Sequence, residues 1–214
     1  MDSKSRGCSD NSRQHYDKFY ADGGWGTTVE SAERATKVIT GLAGWEAGDS
    51  ILEVGCGDGL HSFLLSLVGL HVTAIDISPV AINGACDLFD GPEFIIADLA
   101  EWEPGRTFDG ILARGLSWFH YELSGINRNG VDVLHELRRM LSWLSPGGTF
   151  VLQIYTDLSG GVRDGCIQNI ADAYRSLFEP VSTILFLRDW HGEPLNNQTQ
   201  AGVIVVASRD SGGT

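Results

Sequence analysis

The stretch Ile51-Leu52-Glu53-Val54-Gly55-Cys56-Gly57-Asp58-Gly59 constrains this chain more than any other. Ile51, Leu52 and Val54 make a short apolar run of the kind a buried strand needs, and helical spacing from Leu60 to Leu67 begins at once. Gly55, Gly57 and Gly59 alternate in the turn between them. A strand that passes into a helix through alternate glycines can turn with positive φ, and it leaves no Cβ between its backbone and a ligand. That unit is the opening of an α/β sheet whose turn lies at the carboxyl end of a strand.

The residues beside the turn bear on what it binds. The dinucleotide spacing G-x-G-x-x-G fails from Gly55, because position 60 is Leu, and from Gly57 it needs Ser62 in place of the last glycine. The spacing present is G-x-G-x-G, with Glu53 before the first glycine and Asp58 at the start of the helix. A pyrophosphate favours helix-terminal N–H groups with no anion beside them. Two carboxylates suit a ligand with an ammonium or sulfonium group better. A glycine turn alone also fits a strand–helix connection that binds nothing, so the flanking acids and the downstream residues carry the distinction.

Asn11 and Ser12 can cap a helix through Tyr20, and Thr27-Thr28 can open a second helix to about Thr40. A strand over 50–55 and a helix over 60–68 come next, then a strand over 71–75 ending at Asp76. Ser78 and Pro79 suit the N-cap and first turn of a helix through Leu88. Strands over 94–97 and 108–113 lead to a polar loop over 121–129 and a helix over 131–143, which Leu144-Ser145-Pro146-Gly147-Gly148 breaks. A strand over 149–155, a helix near 165–178 and strands over 183–187 and 202–207 complete the chain. The pattern predicts a Rossmann-like, doubly wound α/β sheet of seven strands, mostly parallel, with helices on both faces. No helix separates the last two strands, so the C-terminal strand is expected to run antiparallel.

A chain of 214 residues suits one α/β domain over 1–214: tail and lid helices in 1–44, core over 45–208, tail in 209–214. The polar Met1–Ser12 has no apolar signal region, and no run of eighteen apolar residues exists to span a membrane. Cys8, Cys56, Cys86 and Cys166 are scattered, which reads as reduced thiols in a cytoplasmic protein. The net charge of −13, from 28 acids against 15 bases, argues against a nucleic-acid partner, whose affinity rests on Lys and Arg at phosphates. Oligomeric state is not legible.

The glycine loop with its flanking acids resembles motif I of the class I S-adenosylmethionine-dependent methyltransferases, acidic-x-G-x-G-x-G. Three downstream features carry the resemblance further. Asp76, seventeen residues past Gly59 at the end of an apolar run, and Ile77 resemble the acid that takes both ribose hydroxyls and the apolar residue that covers adenine. Asp98-Leu99 stands where the family places an acid for the adenine amino group and a backbone N–H beside it. Leu144 to Gly148 resembles the family's Leu-x-Pro-Gly-Gly turn. The resemblance implies S-adenosylmethionine as cofactor, S-adenosylhomocysteine as product, and a small-molecule acceptor. It implies cofactor contacts at Glu53, Gly55, Cys56, Gly57, Gly59, Asp76, Ile77, Asp98, Leu99 and Arg114, with Arg114 either against the methionine portion or paired with a nearby acid. It also implies that the aromatic N-terminal helix, with Tyr16, Phe19 and Tyr20 and then Trp25, folds over the cofactor or packs on the sheet.

Methyl transfer from an activated donor needs a base only when the acceptor must lose a proton. His120, in Trp118-Phe119-His120-Tyr121, is the candidate base, and His191 in the segment before the last strand is the second; packing is the alternative role for each. Asp109 starts its strand and no Asp-Asn pair follows the fifth strand, so no metal site is expected. A nicotinamide-dependent oxidoreductase shares Asp76 but not the G-x-G-x-G spacing, Asp98 or the terminal hairpin. A non-catalytic S-adenosylmethionine-binding protein is the other alternative.

Overall fold

The computed structural model describes residues 3–123, 131–154, 170–195 and 203–209. Helices α1 (Ser3–Ala21) and α2 (Val29–Ala43) precede a sheet built from β1 (Ser50–Val54), β2 (His71–Asp76), β3 (Glu93–Ile96), β4 (Phe108–Arg114), β5 (Leu144–Ile154), β6 (Ser182–Asp189) and β7 (Val203–Arg209). Between them lie α3 (Leu60–Leu67), α4 (Pro79–Leu88), α5 (Ser117–Leu123), α6 (Val133–Ser142) and α7 (Ile170–Phe178). The strand order is β3-β2-β1-β4-β5-β7-β6. Neighbours from β3 through β5 pair in parallel, and β7 runs antiparallel to both β5 and β6. The predicted sheet, with its one reversed strand, is therefore present.

The chain builds outward from β1 to β3 and then returns to place β4 on the other side of β1. The carboxyl ends of β1 and β4 thus flank a topological switch point, where open α/β sheets bind ligands. Both faces of the sheet are covered, which is why its strands read as nearly continuous apolar runs. On one face Leu52, Val54, Ile111, Ala113, Phe150 and Leu152 meet Leu137 and Met140 of α6 and Tyr174 and Phe178 of α7. On the other, Ile51, Leu112, Val151 and Ile204 lie under Ile39 of α2 and Leu65 of α3. Successive strand side chains alternate between faces, so Glu53, Arg114 and Gln153 belong to this second face. Trp45 crosses the same face over Gly110, where an added Cβ would overlap the indole, and its Nε1 donates to Thr149 Oγ1 at 2.8 Å.

Some boundaries differ from expectation. Helix α1 begins at Ser3 inside the segment read as a tail. Strand β5 begins at Leu144, not Thr149: Leu144 pairs with Phe108 and the register then slips, so the Pro-Gly-Gly turn is an irregularity within a strand. Helix α5 occupies part of a stretch in which the sequence pattern predicts no helix. Strand β7 takes in Ser208 and Arg209, which pair with Thr183 and Ser182. The predicted helical residues 165–169, and Tyr155 and Gly202 of the predicted strands, lie outside the described residues.

Candidate cofactor site

The glycine turn is held by the strand beside it. Gly55 and Cys56 donate their N–H groups to Ile75 O at 2.8 and 3.0 Å, and Gly57 N–H reaches Asp76 Oδ2 at 2.9 Å. Asp76 Oδ1 accepts from Ser78 N–H at 2.9 Å. Asp76 is buried, not exposed at its strand end, and burial raises its pKa against those backbone bonds. A carboxylate has about four lone-pair directions; Gly57 and Ser78 N–H each take one, and Ile77 N–H also bears on the group, so the carboxylate keeps room for a further donor. All three glycines have positive φ. At Gly59 an added Cβ would lie 2.7 Å from Ala85 Cβ and 2.8 Å from the Phe94 ring, so that turn packs directly on α4 and β3. Cys56 is a buried thiol, and burial followed by Glu53 and Asp76 raises its pKa well above the ordinary value. A neutral thiol is a spacer here, not a nucleophile.

Glu53 is fully buried behind the turn. Ser62 Oγ donates to its Oε2 at 2.5 Å. Burial nevertheless pushes its pKa up to about 7, while the Ser62 bond and the charge of Arg114 pull the other way. Arg114, at the end of β4, donates from Nε to Gln153 Oε1 and lies with its guanidinium carbon 6.0 Å from the Trp190 ring centre. It makes no ion pair with Glu53 among the described residues. His61, one residue into α3, is buried beside this group, and burial followed by the Arg114 charge lowers its pKa to about 3. Neither His61 nor Gln153 stands out in the sequence, although a lone amide inside the apolar run Phe150–Ile154 was the available signal.

Helix α1 closes over the turn. Tyr20 lies against Gly57, where an added Cβ would overlap the phenol. Burial, then the nearby Asp76 and Asp58 carboxylates, raise the Tyr20 pKa. Asp17 Oδ1 accepts from Ser78 Oγ at 2.5 Å, and that hydroxyl also caps α4 by accepting from Ala81 N–H at 3.2 Å. The same serine thus fastens α1 to the start of α4.

Asp98 turns the chain after β3: its Oδ1 accepts from Ala100 N–H at 3.0 Å, and Leu99 behind it is buried. Arg139 of α6 braces this loop by donating to Leu99 O and to Trp102 O, the latter at 2.8 Å. Ala97 N–H donates to Asp76 O at 2.9 Å, which sets Asp98 next to Asp76 at the sheet's carboxyl edge. Ile77 is partly buried between Asp76 and Ser78. His120 falls on α5, but its side chain lies outside the described residues. His191 is exposed in the segment after β6, with its N–H bonded to Asp189 Oδ1 at 2.8 Å. Among the described residues no group of three or more His, Cys, Asp or Glu side chains is placed to hold a metal ion, and no helix is long and apolar enough to cross a membrane.

The profile of a methyltransferase domain family matches residues 30–197. The chain is 31% identical over 135 residues to a trans-aconitate 2-methyltransferase of Escherichia coli O157:H7, a match covering 53% of this chain and 54% of that protein. It thus spans about half the length of the curated relatives it matches. A TehB-like S-adenosylmethionine-dependent methyltransferase from Corynebacterium glutamicum superposes with a TM-score of 0.61 at 21% identity, over 94% of this chain and 98% of that one. The magnesium protoporphyrin IX methyltransferase of Synechocystis PCC 6803, crystallised with S-adenosylmethionine, gives 0.64 at 16% identity, over 95% and 97%. At such identities the two structures speak for the fold, and the family profile for descent; neither supports the nicotinamide alternative. A domain profile spanning most of the chain, on a seven-stranded sheet of this order with its reversed β7, establishes that the chain belongs to the class I S-adenosylmethionine-dependent methyltransferases.

Proposed function

We propose that this chain transfers a methyl group to a small-molecule acceptor, and that the residues around the glycine turn hold S-adenosylmethionine. The observation that carries the reading is the Asp76 carboxylate, fastened by Gly57 and Ser78 N–H at the carboxyl end of β2 and still able to accept from a further donor. A ribose presents two adjacent hydroxyl donors to such a carboxylate. Gly55, Gly57 and Gly59 let the chain approach without a Cβ, and Cys56 fills the space between two of them without reacting. Asp58, and Glu53 once its raised pKa is passed, supply negative charge for the ammonium and sulfonium end. Asp98 and the Leu99 N–H serve the adenine edge, and Ile77 its face.

When bound, the cofactor supplies a methyl group already activated by a sulfonium. The protein's part is alignment and exclusion of water, which can be worth up to about 7–11 kcal/mol. Tyr20 and Asp17 serve the second task by holding α1 across the turn. His120 takes the acceptor proton where one must leave. A small acceptor agrees with the acid excess, and the proteins this chain is similar to include methyltransferases named for trans-aconitate and for magnesium protoporphyrin IX.

Equilibrium dialysis with S-adenosylhomocysteine and with NAD tests the cofactor assignment. The reading expects the first to bind and the second not to; NAD binding with no nucleoside thioether binding contradicts it. Turnover of S-adenosylmethionine across a metabolite panel then separates an enzyme from a protein that only binds the cofactor.

A further inference from the structure

We infer that Arg114 and Gln153 form a receiving site for a carboxylate of the acceptor, with the Trp190 ring over the guanidinium and His61 beside it. This rests on the methyltransferase reading above and adds the chemical class of its acceptor.

Arg114 is half-buried at the end of β4. Burial works against its charge and lowers its pKa, with Glu53 and Asp58 only partly opposing. Among the described residues its single hydrogen bond is the one from Nε to Gln153 Oε1, and the ion pairs present all lie elsewhere. The Nη1–Nη2 edge, whose parallel donors match a carboxylate, has no acceptor there. The acid nearest in charge terms, Glu53, is engaged by Ser62 instead.

Gln153 fixes the direction of the site. Arg114 can only donate, so the amide must turn Oε1 toward it and Nε2 away. Gln153 is 1% exposed, and its Nε2 has no hydrogen-bond partner. A buried amide donor without an acceptor is unfavourable unless something arrives to accept.

His61 adds a third polar atom without a partner, its buried Nε2. Thr36 Oγ1 lies 3.5 Å from Nδ1. A hydroxyl that donates to Nδ1 leaves the proton on Nε2, which makes the neutral ring a further donor. A cation would be repelled by the guanidinium, and an apolar group would leave every donor unmet. A carboxylate satisfies the guanidinium edge and the amide N–H together.

The amino-acid end of the cofactor also carries a carboxylate. The acceptor is favoured because Arg114 is tied to Gln153 of β5 and lies under Trp190, on the β4–β5 side of the switch point; the Glu53 and Asp58 charges also act on it, so the test distinguishes the two carboxylates.

The test is calorimetry on the protein saturated with S-adenosylhomocysteine, titrated with benzoate, fumarate and tricarballylate and with their primary amides at millimolar concentration. The inference expects at least one acid to bind, its amide to bind about tenfold more weakly, and Arg114→Gln to weaken the acid about tenfold or more. Gln153→Glu supplies a carboxylate to Arg114 from the protein itself, so it abolishes acid binding while raising the melting temperature, which separates blockade from misfolding. Acids that bind no better than amides, or bind Arg114→Gln equally, overturn the inference. So does a loss of S-adenosylhomocysteine affinity in Arg114→Gln that its decarboxylated analogue does not share, since the carboxylate read is then the cofactor's own. A wild type that binds no S-adenosylhomocysteine overturns the underlying reading and this one with it.

Discussion

Glu53 illustrates how one buried atom group links stability to function. Its pKa stands near 7 in the folded chain, above the ordinary carboxylate value near 4.5, because burial disfavours the charge. The folded state therefore holds a proton that the unfolded state has released between these values, and stability falls as pH rises from about 4.5 to 7. The full effect is on the order of 3 kcal/mol at about 1.4 kcal/mol per unit. Glu53→Gln should flatten that slope in urea titrations between pH 5 and 8 and be more stable than wild type at the upper end. If Glu53 serves the ammonium group of the cofactor, the same variant weakens S-adenosylhomocysteine binding although it stabilises the fold. His120→Ala is expected to lower turnover more than cofactor affinity in steady-state assays; an equal fall in both marks the residue as packing. The acids were legible because their spacing from the glycines is a one-dimensional fact. The burial of Asp76 and the orphaned amide of Gln153 were not, because both depend on which distant segments cover them.

At the scale of elements, the decisive object is α1. Its aromatic spacing pointed to a face that packs on something, but sequence alone left open whether that was cofactor loop or sheet. Tyr20 against Gly57 and Asp17 against Ser78 set it across the turn. Loosening that latch with Asp17→Asn should raise amide hydrogen exchange in α1 and speed cofactor dissociation, with little change in the exchange of β1 and β4; unaltered α1 exchange would show that the latch does not hold the helix. The opposite case is α3, whose start is fixed by core packing. Gly59→Ala forces a Cβ into Ala85 and Phe94 at φ 77° and is expected to destabilise by about 1–3 kcal/mol, read as a lower melting temperature with or without ligand. Strand existence was readable throughout from apolar runs and turn residues. Strand limits were not: the register slip that starts β5 at Leu144 and the pairing that carries β7 to Arg209 are set by partners, not by local preference.

For the whole molecule, one arrangement accounts for the reading: a sheet whose order reverses between β1 and β4, a glycine turn and Asp76 on one side of that reversal, and Arg114 with Gln153 on the other. The sequence order of motifs made the first half legible, since the residues proposed for the nucleoside lie at successive strand ends. The second half joins residues far apart in the chain and appears only once β4 and β5 are side by side. The central claim is that the turn and Asp76 hold the cofactor, and calorimetry with S-adenosylhomocysteine on wild type and Asp76→Ala tests it most directly. The variant leaves the Gly57 and Ser78 N–H groups unpaired, at a cost of about 1–3 kcal/mol each at most, so its folding is checked by melting in the same buffer. The account predicts one-site binding to wild type and at least about tenfold weaker binding to a folded Asp76→Ala, the loss of the ribose contact. No heat with wild type at millimolar ligand, or equal affinity in the folded variant, contradicts it.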